Sequence, residues 1–230
     1  MKEVVHLRQV RSFVRRQARF TLGQKRALSE LWPIYGLELN EEPLDYTKIF
    51  GRKAPLVLEI GFGMGNSLLT LAKTNPDRDY IGIEVHSPGV ACLMRNLAEQ
   101  ELSNVRIFKT DAHDVLEKSI ADASLSEVLL FFPDPWPKKR HQKRRIVQSK
   151  FIELVRQKLI AGGVFHLATD WQDYAEQMLN LLEASVGFTN SSGKGNFAAR
   201  PESRPLTKFE ARGQKLGHGV WDLLFVKDPD

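Results

Sequence analysis

Beyond Pro55 short apolar runs alternate with longer stretches of mixed apolar and polar positions, the rhythm of buried parallel strands joined by crossover helices. Leu56 to Ile60 reads as the first strand, followed by Gly61-Phe62-Gly63-Met64-Gly65 and a helix from about Asn66 to Lys73. Tyr80 to Val85 and Pro88 to Glu101 repeat the unit, with Pro88 near the first helical turn, where a missing N–H costs least. Val105 to Phe108 is a third strand ending at Thr110-Asp111, Glu127 to Phe132 a fourth, and Gly163 to Ala168 a fifth ending at Thr169-Asp170. A helix from about Gln148 to Leu159, stopped by Gly162-Gly163, joins the last two. After a helix from Tyr174 to Ala184, the stretch Ser191 to Pro205 is rich in Ser, Gly, Arg and Pro and reads as a loop; Val220 to Val226 is a further strand. The fold class expected is α/β, with a mostly parallel sheet and helices on both faces.

Residues 1–50 break this rhythm. Met1 to Arg26 holds eight basic residues against the single acid Glu3, and the apolar residues among them show no sustained helical stripe. The expectation is a basic arm over 1–50 that orders on binding a polyanion, followed by one domain over 51–230. At 230 residues and 42% hydrophobic the chain can bury a full core. No window approaches eighteen consecutive apolar residues, and the amino terminus lacks the apolar core of a signal peptide, so a cytoplasmic protein without a membrane segment is expected. Arginines in the arm also suit a mitochondrial transit peptide, but the arm runs into Leu31-Trp32-Pro33 without an obvious processing signal. Cys92, the one cysteine, forms no internal disulfide, and the six histidines show no ligand spacing, so no metal is expected.

Charge changes the picture most between Leu130 and Arg145. An apolar run stops at Pro133, Pro135 and Pro137, which places Asp134 just past a strand's carboxyl end, the edge where open α/β sheets bind ligands. Asp134 could be only a turn residue. The charges next to it argue for more: Lys138, Lys139, Arg140, Lys143, Arg144 and Arg145 contain no acid among them, and Trp136 offers a flat face for a base. Such a block calls for a polyanion, and nucleic acid is the expected one.

Glu59, Glu84, Asp111, Asp134 and Asp170 all fall in or just after strands whose ends converge on one rim of a parallel sheet. A glycine turn after the first strand brings backbone close to a cofactor, and an acid about twenty residues on is placed to accept from ribose hydroxyls. Yet Asn66 stands where a dinucleotide fingerprint wants its third glycine, and Glu59 just before the turn would repel a pyrophosphate. The acid suits a nucleoside cofactor that carries a cation instead, and S-adenosylmethionine is the common one. An NAD(P)-dependent oxidoreductase fits less well on glycine spacing, on the buried acid and on the absence of a Tyr-x-x-x-Lys pair. A non-enzymatic RNA-binding protein would leave the acidic rim unexplained.

Glu-Ile-Gly-Phe-Gly-Met-Gly, Gly-Ile-Glu-Val-His, Asp-Ala-His-Asp-Val, Phe-Pro-Asp-Pro-Trp-Pro-Lys-Lys-Arg-His and Thr-Lys-Phe-Glu, in this order, resemble the bacterial tRNA (guanine-N7-)-methyltransferase family from about Leu56 onward. The resemblance implies a class I S-adenosylmethionine-dependent methyltransferase fold and, as substrate, the guanine at position 46 of the tRNA variable loop. It implies cofactor contacts at Glu59, Gly61, Gly63, Glu84, Asp111 and Asp134, with Asp134 also catalytic. Substrate contacts are implied at Lys138, Asp170, Thr207, Lys208, Phe209 and Glu210, and RNA contacts at Arg140, His141, Gln142, Lys143, Arg144 and Arg145. Gln142 stands where a second histidine is expected. Monomer and homodimer both remain open.

Overall fold

The computed structural model describes residues 21–206, 210 and 219–229. The parallel ladder is built from β2 (Leu56–Ile60), β3 (Asp79–Ile83), β4 (Val105–Phe108), β5 (Leu125–Phe131) and β6 (Leu159–Thr169). They are joined by α3 (Asn66–Thr74), α4 (Ser87–Glu99), α5 (Ala112–Lys118) and α6 (Ser149–Lys158). β1 (Gly36–Leu37), β7 (Phe188–Asn190), β8 (Trp221–Lys227) and α7 (Gln172–Glu183) complete an eight-stranded sheet of order β1-β4-β3-β2-β5-β6-β8-β7. β8 runs antiparallel between β6 and β7, and every other pairing is parallel. The chain steps outward from β2 to β3 and β4, then returns to the other side of β2 with β5. That reversal makes the carboxyl end between β2 and β5 the topological switch point, where a crevice opens.

Alternate residues of each strand feed opposite faces. Leu56, Leu58 and Ile60 of β2 belong to a core completed by Val115 and Leu116 of α5, Phe151 and Val155 of α6 and Tyr174 and Met178 of α7. Val57 faces the other core, with Leu68 and Leu71 of α3 and Val90, Leu93 and Met94 of α4. Glu59 shares the parity of Val57, so the strand pattern itself turns this carboxylate toward α3 and α4.

The stretch 22–50, expected to be part of an arm, is built into the fold. Leu22–Tyr35 is helix α1, opened by a capping box in which Thr21 and Gln24 exchange backbone-to-side-chain hydrogen bonds of 3.1 and 3.2 Å. Leu28, Leu31, Trp32 and Tyr35 form a helical stripe that packs on the α4 side of the sheet, and β1 then pairs with the edge of β4. A short helix α2 (Tyr46–Phe50) comes next. The stripe is only two turns long and carries Pro33, which obscures it in a basic stretch. Residues 1–20 of the arm lie outside the described residues.

One helix is added and one expectation is corrected. Asp111 opens helix α5 by accepting from the His113 N–H at 3.0 Å, a helix that the sequence reading passes over. Gly162-Gly163 do not end α6; the helix ends at Lys158, β6 begins at Leu159, and residues 160–163 bulge out where pairing jumps from Leu125↔Leu159 to Glu127↔Val164.

Candidate active site at the switch point

Glu59, Glu84, Asp111, Asp134 and Asp170 lie in or just after the parallel strands β2 to β6, so topology places them toward one edge of the sheet. Gly61 and Gly63 follow β2 with φ of 74° and 57°, a region side chains disfavour, and a Cβ at either would project into open space. This bare backbone face can approach a ligand closely. It is braced from both sides: the Gly61 N–H donates to Ile83 O at 2.7 Å, and a Cβ on Gly89 of α4 would lie 2.0 Å from Gly63 O. Gly89 is therefore the contact that lets α4 rest on the turn.

Glu84, just past β3, accepts from the Gly63 N–H at 2.8 Å through Oε2 and from the Val85 and His86 N–H groups at 2.7 and 2.9 Å through Oε1. Of about four acceptor positions on a carboxylate, three are filled, which leaves one for a hydroxyl. Its first job is thus to fasten the glycine turn to β3.

Glu59 is 3% exposed, and Oε2 has no hydrogen-bond partner among the described residues. Burial pushes its pKa up to about 8; the nearby Ser67 hydroxyl pulls down, without reaching hydrogen-bond geometry, and the charge on Glu84 pushes further up. An unsatisfied buried carboxyl beneath an open glycine turn asks for a cationic donor. S-adenosylmethionine, with an ammonium group and a sulfonium, meets that demand, and a phosphate does not. Gly61, Gly63, Glu59, Glu84 and Asp111 would hold it.

Asp134 is exposed just past β5, on a turn fixed by more than its prolines. Phe132 and Trp136, on either side, both lie in the left-handed region at φ of 52° and 45°. For side-chain residues that conformation costs about 1–3 kcal/mol each, a cost met by the surrounding packing. Asp170, exposed after β6, stands on the neighbouring strand end.

The basic run folds as a short 3-10 helix, Lys139–Arg144, introduced by Lys138. Lys138, Lys139, Arg140 and Lys143 are exposed. Arg144 lies 4.9 Å over the Trp136 ring and His141 meets its edge at 5.9 Å, so one face expected to be free for a base already carries a guanidinium. Burial, and after it the surrounding Arg140, Arg144, Lys138 and Lys143, keep the His141 pKa below the ordinary histidine value. Gln142 reaches Asp173 at 3.3 Å.

Arg145 departs from the RNA-contact expectation. It is 3% exposed, donates to Pro135 O at 2.8 Å, to Gln177 and to Asp173, and stacks 4.6 Å over Tyr174. It ties the Asp134 turn to α7 and is not displayed to a phosphate. Glu210 departs likewise from the expected substrate contact: it is 1% exposed and forms a bidentate pair with Arg204 at 2.7 and 2.8 Å. Thr207, Lys208 and Phe209 lie outside the described residues. Arg204, His166 and Asp222 were missed by the sequence reading; the one signal for them was an acid at Asp222 inside an apolar strand.

The strand order, with a glycine turn and buried acid at its reversal, is that of class I S-adenosylmethionine-dependent methyltransferases. Solved structures have a similar fold: the 16S rRNA methyltransferase KamB matches with a TM-score of 0.58 at 16% identity, over 82% of this chain and 95% of that one. The cyclase SpnF matches with a TM-score of 0.54 at 15% identity, over 90% and 93%. Such likeness fixes the fold and not the reaction. A family profile described as "Putative methyltransferase" matches residues 53–223. Proteins named tRNA (guanine-N(7)-)-methyltransferase from Serratia proteamaculans (strain 568) and Yersinia enterocolitica serotype O:8 / biotype 1B (strain NCTC 13174 / 8081) are 59% and 58% identical over 221 residues, 96% of this chain and 92% of theirs. The chain belongs to the bacterial tRNA (guanine-N7-)-methyltransferase family.

Proposed function

We propose that this enzyme methylates N7 of the guanine at position 46 in the tRNA variable loop, with S-adenosylmethionine as donor. The observation that supports the reading is that the unsatisfied Glu59 carboxyl lies in β2 just before the glycine turn, while the Asp134 turn with its basic helix follows β5, the strand paired parallel with β2, so both stand toward one edge of the sheet. Bound there, S-adenosylmethionine supplies an electrophilic methyl group.

Guanine N7 has a free lone pair and no proton, so the chain needs no general base; its residues have to align N7 with the methyl. Asp134 or Asp170 cannot usefully face N7 or O6, both acceptors, and is assigned to the opposite edge, where N1–H and the exocyclic amine donate. As the C–N bond forms, the purine becomes cationic, and a carboxylate on that edge interacts with it more strongly than with neutral guanine. Lys138, Lys139, Arg140, Lys143 and Arg144 take phosphates, and arginines of residues 1–20 add further contacts. Among the described residues no group of three or more His, Cys, Asp or Glu is placed to hold a metal, and no helix is long and apolar enough to cross a membrane. Work in the cytoplasm, where tRNA is, suits this assignment.

The test is methyl transfer from labelled S-adenosylmethionine to tRNA, with a second tRNA in which guanine 46 is replaced by adenine. Label in N7-methylguanine of the first and none in the second is expected. Equal labelling of both would remove the position, and no labelling of either would remove the reaction.

A further inference from the structure

Behind the Asp134 turn lies a buried polar cluster that the reaction does not use. The Arg204 guanidinium is fully enclosed. It is gripped by Glu210 through both terminal nitrogens at 2.7 and 2.8 Å, and by Asp222 of β8 at 3.0 Å. Its Nε also lies 2.7 Å from Asp222 Oδ1, without hydrogen-bond alignment. His166 Nε2 of β6 meets the same Asp222 at 2.8 Å, and Arg200 stands 3.6 Å from Glu210. Burial works against the charge on Arg204, and its hydrogen bonds and attraction to Glu210 and Asp222 more than offset this, raising its pKa. A group so firmly ionised has no proton to give, and its two terminal nitrogens are held by carboxylates on both sides.

It lies against the two rings that lead into the turn. The Arg204 guanidinium carbon lies 5.9 Å from the Phe131 ring centroid and 5.7 Å from that of Phe132, within reach of a cation–π contact with each. His166 meets the Phe131 ring edge at 4.9 Å. Phe132 is the residue whose backbone is left-handed, and its N–H donates to Ala168 O at 2.8 Å, so its conformation sets the direction in which the chain leaves β5 toward Asp134. A disfavoured backbone persists only where surroundings over-determine it. Here the surroundings are a guanidinium locked by two carboxylates.

We propose that Arg204 is a positioning residue for Asp134: clamped by Glu210 and Asp222, its guanidinium is the floor under Phe131 and Phe132 that holds the Asp134 turn in its reactive direction. Glu210 then serves the reaction through Arg204, from inside the protein. This rests on the reading of Asp134 as the acid at the guanine.

The experiment is a double-mutant cycle on single-turnover methyl transfer at saturating tRNA and S-adenosylmethionine, using Arg204→Lys and Phe132→Leu, each alone and combined with Asp134→Ala. Lysine keeps the charge and loses the planar fork, whereas leucine removes the ring that meets the guanidinium and leaves the buried pairs intact. Each single variant should lower the rate about tenfold with KM for tRNA and cofactor affinity unchanged, and neither should slow the enzyme further once Asp134 is alanine. Additive losses in the Asp134→Ala background, or a rise in KM at full rate, would overturn the proposal. So would a lowered melting temperature at full rate. If Arg204→Lys does not fold, Phe132→Leu decides alone. A full rate for Asp134→Ala by itself would instead sink the role given to Asp134.

Discussion

At Glu59 a single side chain joins folding to the proposed ligand chemistry. Its pKa near 8 means that the free enzyme holds it protonated at neutral pH, whereas a cationic cofactor favours the carboxylate. Affinity for S-adenosylmethionine should therefore rise about tenfold per pH unit below pH 8 and level off above it, a slope that calorimetry at several pH values reads directly; a flat profile would mean that Glu59 does not meet the cation. The sign for stability is opposite. A carboxyl whose folded pKa exceeds its unfolded value stabilises the apo protein fully below about pH 4.5, and that contribution is lost as pH rises through about 8. In the proposed reaction Asp134 acts on the other reactant. Its replacement by alanine should lower the single-turnover rate roughly a hundredfold at saturation, the scale for one preorganised electrostatic partner, with saturation shown separately for each substrate.

Between elements, close contacts decide what can be changed. Gly89→Ala would drive a methyl group into Gly63 O, so either α4 or the glycine turn must shift. Overpacking of this kind costs about 1–3 kcal/mol. If the glycine turn holds the cofactor, any such shift should lower cofactor affinity at least about tenfold, while Gly23→Ala, in open space on α1, leaves it unchanged. The basic helix divides in a way that charge alone does not reveal. Glutamine at Lys139, Arg140 and Arg144 should raise the tRNA dissociation constant and flatten its salt dependence by about 0.7–0.9 per lost phosphate contact, with the melting temperature unchanged. Arg145→Gln should instead lower stability by about 1.5–3 kcal/mol, the scale of hydrogen bonds to a charged group, and leave the salt slope alone. Identical behaviour of the two variants would contradict the burial of Arg145.

Across the whole molecule, the sequence is most legible where local pattern and topology agree. Leu56–Ile60, the glycine turn, Val105–Phe108 and the rim acids could be read because apolar runs and breakers mark strand ends within a few residues. Helix α1 could not, since its stripe of Leu28, Leu31, Trp32 and Tyr35 is short and interrupted by Pro33. The Arg204 cluster was out of reach for another reason: His166 and Asp222 are 56 residues apart, and only their antiparallel neighbour strands bring them together. Charge runs misled in the same way, because Arg145 differs from Arg144 in what lies behind it and in nothing a one-dimensional pattern contains.

The late strand β8 also has a consequence for how the chain reaches this state. β8 sits between β6 and β7, and among the described residues β7 pairs with no other strand, so until residues 221–227 are inserted the sheet presents an open flank along β6 and a detached segment at 188–190. Phe165, Leu167 and Phe188 would then sit beside unpaired backbone donors and acceptors, a template for another chain. A fragment ending at Gly219 should accordingly self-associate, seen as light scattering that grows with concentration, and adding a synthetic peptide of residues 219–229 should suppress it. Assembly of the enzyme would thus be guarded by its last strand, whose arrival turns a sticky intermediate into a closed one.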